Sequence, residues 1–137
     1  MEPRLSIDTA FLIDLQRERH DQIGGGAAHS FLEVNSDSEL YLSAVALGEF
    51  GDGFDSVSHP LIREMTERHY IVPVDEGPAL LYVSVVRGQR AGDGLIGSND
   101  VWIGCSSLRH ELPLVTANRN HFQRIPGLRV LNYRDPG

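Results

Sequence analysis

The stretch Arg4-Leu5-Ser6-Ile7-Asp8-Thr9-Ala10-Phe11-Leu12-Ile13-Asp14-Leu15 decides the fold. Leu5 and Ile7 alternate with polar neighbours at the period of a strand, while Phe11, Leu12 and Leu15 recur at helical spacing. A strand over 4–8 therefore passes straight into a helix over 9–19. The same alternation continues down the chain. Strands are predicted over 40–42, 70–74 and 112–116, with a last one over 128–131. Helices are predicted over 29–34, 44–54, 60–68, 76–90 and 99–110, with Ser43 capping the third of the chain's helices and Ser98 or Asn99 capping the last. Gly24-Gly25-Gly26 reads as a loop between helices, Gly92–Gly97 as a glycine-rich loop, and 122–127 as a turn. Strands alternating with helices imply right-handed crossovers, and so an α/β fold with a central parallel β-sheet flanked by helices. In such sheets ligands sit beyond the carboxyl ends of the strands, so the residues that follow each strand are the ones to inspect.

Composition is consistent with that reading. At 137 residues the chain has the length of one domain, expected to span 1–137, and it buries enough surface to need no disulfide or structural metal. The longest apolar runs, such as Leu80–Val86, fall far short of the ~20 residues of a membrane span. Met1-Glu2-Pro3-Arg4 leads directly into the first strand, so no secretory leader is expected and a cytoplasmic location is. The single cysteine, Cys105, excludes an internal disulfide and a thiolate cluster, and reads as a small buried apolar residue. Nineteen acids face twelve bases, all Arg, for a formal charge of −7. That balance opposes a nucleic-acid partner unless the acids gather where cations neutralise them.

Four polar residues fall near strand ends. Asp8 ends the first strand, Glu49 lies in the helix after the second, Asp100 opens the helix before the fourth, and Asn118 stands two residues past that strand. Each alone has an ordinary reading: an N-cap, a solvated helix face, a dipole-stabilised first turn, a turn residue. Together they would crowd like charges on one rim, which is costly unless a cation intervenes. Oxygen ligands without His or Cys suit Mg²⁺ or Mn²⁺ rather than zinc, and Mg²⁺ commonly shares its shell with substrate phosphate. The chemistry so indicated is metal-assisted hydrolysis of a phosphate ester.

These residues also resemble a known family. Ile7–Leu15, Leu42–Glu49, Ile96–Gly104 and Leu114–Phe122 with Ile125-Pro126-Gly127-Leu128 look like the four blocks of PIN domains, and among them the VapC toxins of bacterial toxin–antitoxin pairs. The resemblance implies a PIN-like α/β/α sandwich and a Mg²⁺- or Mn²⁺-dependent endoribonuclease. It further implies a homodimer silenced by a cognate VapB-like antitoxin, with Asp8, Glu49 and Asp100 as metal ligands. RNA would be cut to 5′-phosphate and 3′-hydroxyl ends. Asn118 falls where many members carry a fourth Asp, so it would assist catalysis without adding a charge. Ala10 stands where Asn or Ser often follows Asp-Thr, and Gly104 where Ala is frequent, at a cost of roughly 0.5–1 kcal/mol in helix propensity.

Around this core, the hydroxyls of Thr9, Ser43 and Thr116 are candidates to hold a carboxylate or a water, capping being the alternative for Ser43 and Thr116. Arg87, Arg90, Arg119 and Arg124 are candidate RNA contacts, or solvated surface. Asp93 could add a ligand, although a polar loop residue is the simpler reading. His121 lies near the rim, but without a second His at short spacing there is no acid–base pair, and it reads as a hydrogen-bonding fixture. Trp102 and Phe122 read as core. A different class stays open: a catalytically weak PIN-like module acting mainly as the antitoxin's partner in a repressor complex, for which Ala10 and Asn118 speak. A receiver-like phosphotransferase would need a late Lys, and the chain has none.

Overall fold

The computed structural model describes residues 2–21, 25–92 and 96–135. Asp93 and Gly24 lie outside the described residues. β1 (Arg4–Ile7) reaches α1 (Thr9–His20) through Asp8 alone, and α2 (Ala27–Val34), β2 (Glu39–Ser43), α3 (Ala44–Gly51), α4 (Pro60–Arg68) and β3 (Tyr70–Val72) follow. The second half comprises α5 (Glu76–Ala91), α6 (Ser98–Arg109), β4 (Leu114–Thr116), α7 (Arg119–Phe122) and β5 (Val130–Asn132). The strands form one five-stranded sheet in the order β3-β2-β1-β4-β5, every pairing parallel. Helices flank it, as the alternating pattern requires.

Sheet order explains where a site can form. From the central β1 the chain winds outward to β2 and β3, then returns through α5 and α6 to lay β4 on the other side of β1. The direction of winding reverses between β1 and β4, and a crevice opens outside the carboxyl ends of strands at such a point. Asp8 follows β1 and Asn118 lies just beyond β4, so both stand at that crevice.

The core gathers around β1. Leu5 and Ile7 are fully buried with Leu42, Leu114 and Val115 of the neighbouring strands, and Phe11, Ile103 and Phe122 cover them from the helices. Each such side chain contributes about 1.5–3 kcal/mol through burial. Phe11 meets Tyr133 edge-on at 4.8 Å between ring centres. One buried polar link is built into the apolar core. Ser107 on α6 donates to Ser6 Oγ of β1 at 2.8 Å and also reaches the Ile103 carbonyl at 3.1 Å, which seats α6 on the central strand.

Several boundaries depart from the sequence reading, each for a local reason. β3 stops at Val72 because Pro73 has no N–H for the ladder. β4 starts at Leu114: Leu112 bonds back to the Ser107 carbonyl at 2.9 Å and belongs to the turn. The predicted 44–54 helix ends at Gly51, and the last strand lies at Val130–Asn132 rather than over 128–131. Neither Ser98 nor Asn99 caps α6; Gly97 occupies that position, with no side-chain cap bond. The short α7 was not foreseen, since four residues are too few for a periodic signal.

Gly104 has a packing role that propensity alone hides. A Cβ there would overlap Cδ1 of Ile125 and lie 3.4 Å from Leu128 Cδ2, so the glycine lets α6 approach the segment after α7. Gly104→Val is expected to lower stability by about 1–3 kcal/mol through overpacking. Urea unfolding beside the unaltered chain checks this; equal midpoints would contradict the packing role.

Candidate active site

Asp8 is set by backbone before its side chain is considered. It has extended dihedrals, donates its N–H to the Val115 carbonyl at 3.2 Å and accepts at its own carbonyl from Phe11 at the start of α1. The residue, only 4% exposed, lies at the junction of β1 and β4. There its Oδ2 accepts from Thr116 Oγ1 at 2.7 Å, and Thr116 Oγ1 in turn accepts the Asn118 N–H at 3.0 Å.

Two other carboxylates arrive from helices. Glu49 projects from α3, whose entry Ser43 caps by accepting the Val45 N–H at 3.1 Å. Thr9 Oγ1 donates to Glu49 Oε1 at 2.8 Å, and Asn99 Nδ2 donates to Glu49 Oε2 at 3.1 Å. Asp100, in the first turn of α6, lies with its Oδ2 2.8 Å from His121 Nε2. Adjacent residues of α6 therefore bind in two directions, Asn99 toward α3 and Asp100 toward α7.

Electrostatics ties the three acids together. Burial above all pushes the Asp8 carboxyl up to about 6, against the pull of the Thr116 hydrogen bond, and the charges of Asp100 and Glu49 push it the same way. Asp100 is also raised, first by burial and also by Glu49, with His121 opposing. Like charges that shift one another occupy one neighbourhood. Among the described residues no three His, Cys, Asp or Glu side chains already close around a common point, so the acids are gathered without forming a finished coordination sphere.

The other expected residues sort by contact. Thr9 and Thr116 each hold a carboxylate as anticipated. Ser43 uses its hydroxyl oxygen as a helix cap, and no hydrogen bond joins it to the acids. Asn118 is exposed and gives its backbone to the start of α7, its carbonyl accepting from His121 and Phe122. Arg87, Arg90, Arg119 and Arg124 are exposed, and no ion pair with a described residue engages them. Trp102 stacks on Tyr82 at 4.0 Å, and Phe122 is buried. Cys105 is buried and its thiol is pushed up to about 11, far from a nucleophile's range. Sequence reasoning missed Asn99 as a partner of Glu49, whereas His121 is a hydrogen-bonding fixture as read, with Asp100 as the partner that the sequence did not name. The signal for Asn99 was its place beside Asp100 at the start of a helix, where one turn faces two neighbours.

The chain resembles known proteins along most of its length. The PIN domain profile matches residues 5–128. A protein named Ribonuclease VapC1 from Methanocaldococcus jannaschii is 26% identical over 133 residues, covering 94% of this chain and 88% of that protein. Another of the same name from Haemophilus influenzae is 28% identical over 127 residues, covering 89% and 92%. Among solved structures, VapBC-1 of nontypeable Haemophilus influenzae superposes with a TM-score of 0.79 at 24% identity, covering 96% of this chain and 99% of that one. VapBC2 of Rickettsia felis, bound to a DNA fragment from its promoter, gives 0.77 at 19% identity, covering 94% and 98%. Similarity at these identities carries the fold.

Burial of Asp8 makes a prediction about stability. Its folded-state value near 6 exceeds the usual 3.8, so between those two pH values the folded chain holds a proton that the unfolded chain has lost. Stability then falls as pH rises through this window, and the raised Asp100 acts in the same sense. Asp8→Asn, with no charge to bury, should be more stable than the unaltered metal-free chain by about 2 kcal/mol at pH 7.5. The advantage should vanish near pH 4. Urea unfolding of both proteins at the two pH values checks the sign; a variant less stable at pH 7.5 would contradict it.

Proposed function

This chain belongs to the PIN domain family, and on that footing we propose that it is a Mg²⁺- or Mn²⁺-dependent endoribonuclease, the toxin of a toxin–antitoxin pair. The observation that carries the reading is the gathering of three acids beyond β1 and β4: buried Asp8, raised by burial and by the charges of Asp100 and Glu49, with Asp100 raised by burial and by Glu49. The donor set supports it as well: carboxylate oxygen only, hard ligands suited to Mg²⁺ or Mn²⁺. The names of the two curated relatives point to the same activity.

The chain's own groups divide the work by how they are held. Thr116 engages one oxygen of Asp8 and leaves Oδ1 for a ligand. Thr9 and Asn99 grip opposite oxygens of Glu49 and so orient its carboxylate plane. His121 engages Oδ2 of Asp100 and leaves its other oxygen. A bound divalent ion supplies polarisation of the phosphoryl oxygen and a lowered pKa for water. Asp8, Glu49 and Asp100 would hold it, Asp8 and Asp100 through the oxygen that their hydrogen-bond donors leave free. The exposed Arg119 and Arg124 flank His121 and are suited to hold the flanking phosphates of RNA, where guanidinium forks bind bidentately. The neighbours titled as VapBC complexes support a VapB-like antitoxin as partner. With the ion absent the crevice is anionic, so a cationic antitoxin side chain would fit it.

Purified, antitoxin-free protein should cleave RNA on addition of Mg²⁺ or Mn²⁺, stop on chelation, and leave 5′-phosphate ends. Loss of a ligand should remove several kcal/mol of transition-state stabilisation, so Asp8→Asn and Asp100→Asn should each slow cleavage more than about 100-fold. Gel analysis of total RNA with the three proteins checks this. Absence of metal-dependent cleavage by the unaltered chain, with antitoxin binding intact, would favour a binding module instead.

A further inference from the structure

Three of the four donors that hold the acidic cluster are hydroxyls or an amide; the fourth is an imidazole. His121 Nε2 lies 2.8 Å from Asp100 Oδ2, across 21 residues of chain. An ionised carboxylate only accepts hydrogen bonds, so Nε2 carries the proton. The backbone N–H of His121 bonds to the Asn118 carbonyl at 3.2 Å, and the imidazole stands perpendicular to the buried Phe122 ring at 5.6 Å.

We propose that His121 is a positioning residue that orients Asp100 for divalent-cation binding. The inference rests on the metal-dependent reading above and extends it to one side chain. Asp100 sits half-buried in the first turn of α6, and the only described hydrogen bond to its carboxylate comes from His121. That bond engages Oδ2 and leaves Oδ1 without a described hydrogen bond. The neighbouring acids show the same division: Thr116 engages one oxygen of Asp8, and Thr9 with Asn99 brace Glu49. Because α7 also carries the Asn118 cap, the His121 ring is anchored to the same segment that, through Asn118 N–H and Thr116, supports Asp8. Asp8 and Asp100 are thereby referenced to one piece of backbone. Groups that orient a ligand in this way typically control metal affinity by 10–100-fold.

The test is calorimetric titration of the metal-free full chain with Mn²⁺, with metal-free unfolding midpoints measured alongside. His121→Ala should weaken Mn²⁺ binding by about tenfold or more while leaving the metal-free midpoint within a few degrees. His121→Gln places an amide N–H where Nε2 stood and should recover affinity to within about threefold. Unchanged Mn²⁺ affinity in His121→Ala overturns the proposal, and so does a Gln variant as weak as Ala. Failure of the broader reading looks different: the unaltered chain itself would take up no Mn²⁺, and Asp8→Asn would leave that trace unchanged.

Discussion

A carboxylate almost wholly removed from water, with two more acids within electrostatic reach, is the constraint on which the rest of the structure depends. Desolvation and like-charge repulsion both favour the protonated form, and neither is relieved by a cationic side chain touching Asp8. What the fold supplies instead is a set of hydroxyl, amide and imidazole donors, each reaching one carboxylate. The hydroxyls of Thr9 and Thr116, the amide of Asn99 and the imidazole of His121 hold the acids without cancelling them. A direct Arg partner would stabilise the resting protein and fill the place a divalent cation could take. Arg87, Arg90, Arg119 and Arg124 are exposed.

That arrangement is possible because of sheet order. β1 is central, paired along its length with β2 and at Ser6 and Ile7 with β4, and its Leu5 and Ile7 are fully buried in the core. A strand so enclosed cannot shift register without exposing Leu5 and Ile7, so the residue after it is placed with the same certainty. β4 on one side brings Thr116 to Asp8, and the Ser6–Ser107 bond seats α6 so that its N-terminal turn overhangs the same crevice. Core packing and the positions of the acids are therefore two consequences of one geometry.

Much of this was legible from residue patterns. The strand-to-helix passage at Asp8 follows from two periodicities meeting at one residue, and parallel order follows from alternation. Thr9, Ser43 and Thr116 were all candidates as hydroxyls beside acids at strand ends; Thr9 and Thr116 hold carboxylates, while Ser43 takes the capping alternative. The remainder was not legible, for physical reasons. Asn99 and His121 act through contacts 50 and 21 residues away in sequence, which no local period reports. Strand limits turned on Pro73 and on the turn at Leu112, both outcomes of hydrogen-bond competition. Gly104 looked like a helix defect because its benefit lies in the later segment that packs against it.

The pairing of β1 with β4 also governs when the site can exist during synthesis. Ser6 and Ile7 find their second neighbours at Leu114 and Val115, and Asp8 meets its hydroxyl donor 108 residues downstream. A nascent chain leaving the ribosome N-terminus first can form β1, β2 and β3 early, but one flank of the central strand stays open until β4 has emerged. Prematurely terminated fragments consequently lack a complete crevice. Without β4, Asp8 has no Thr116 hydroxyl to hold its Oδ2.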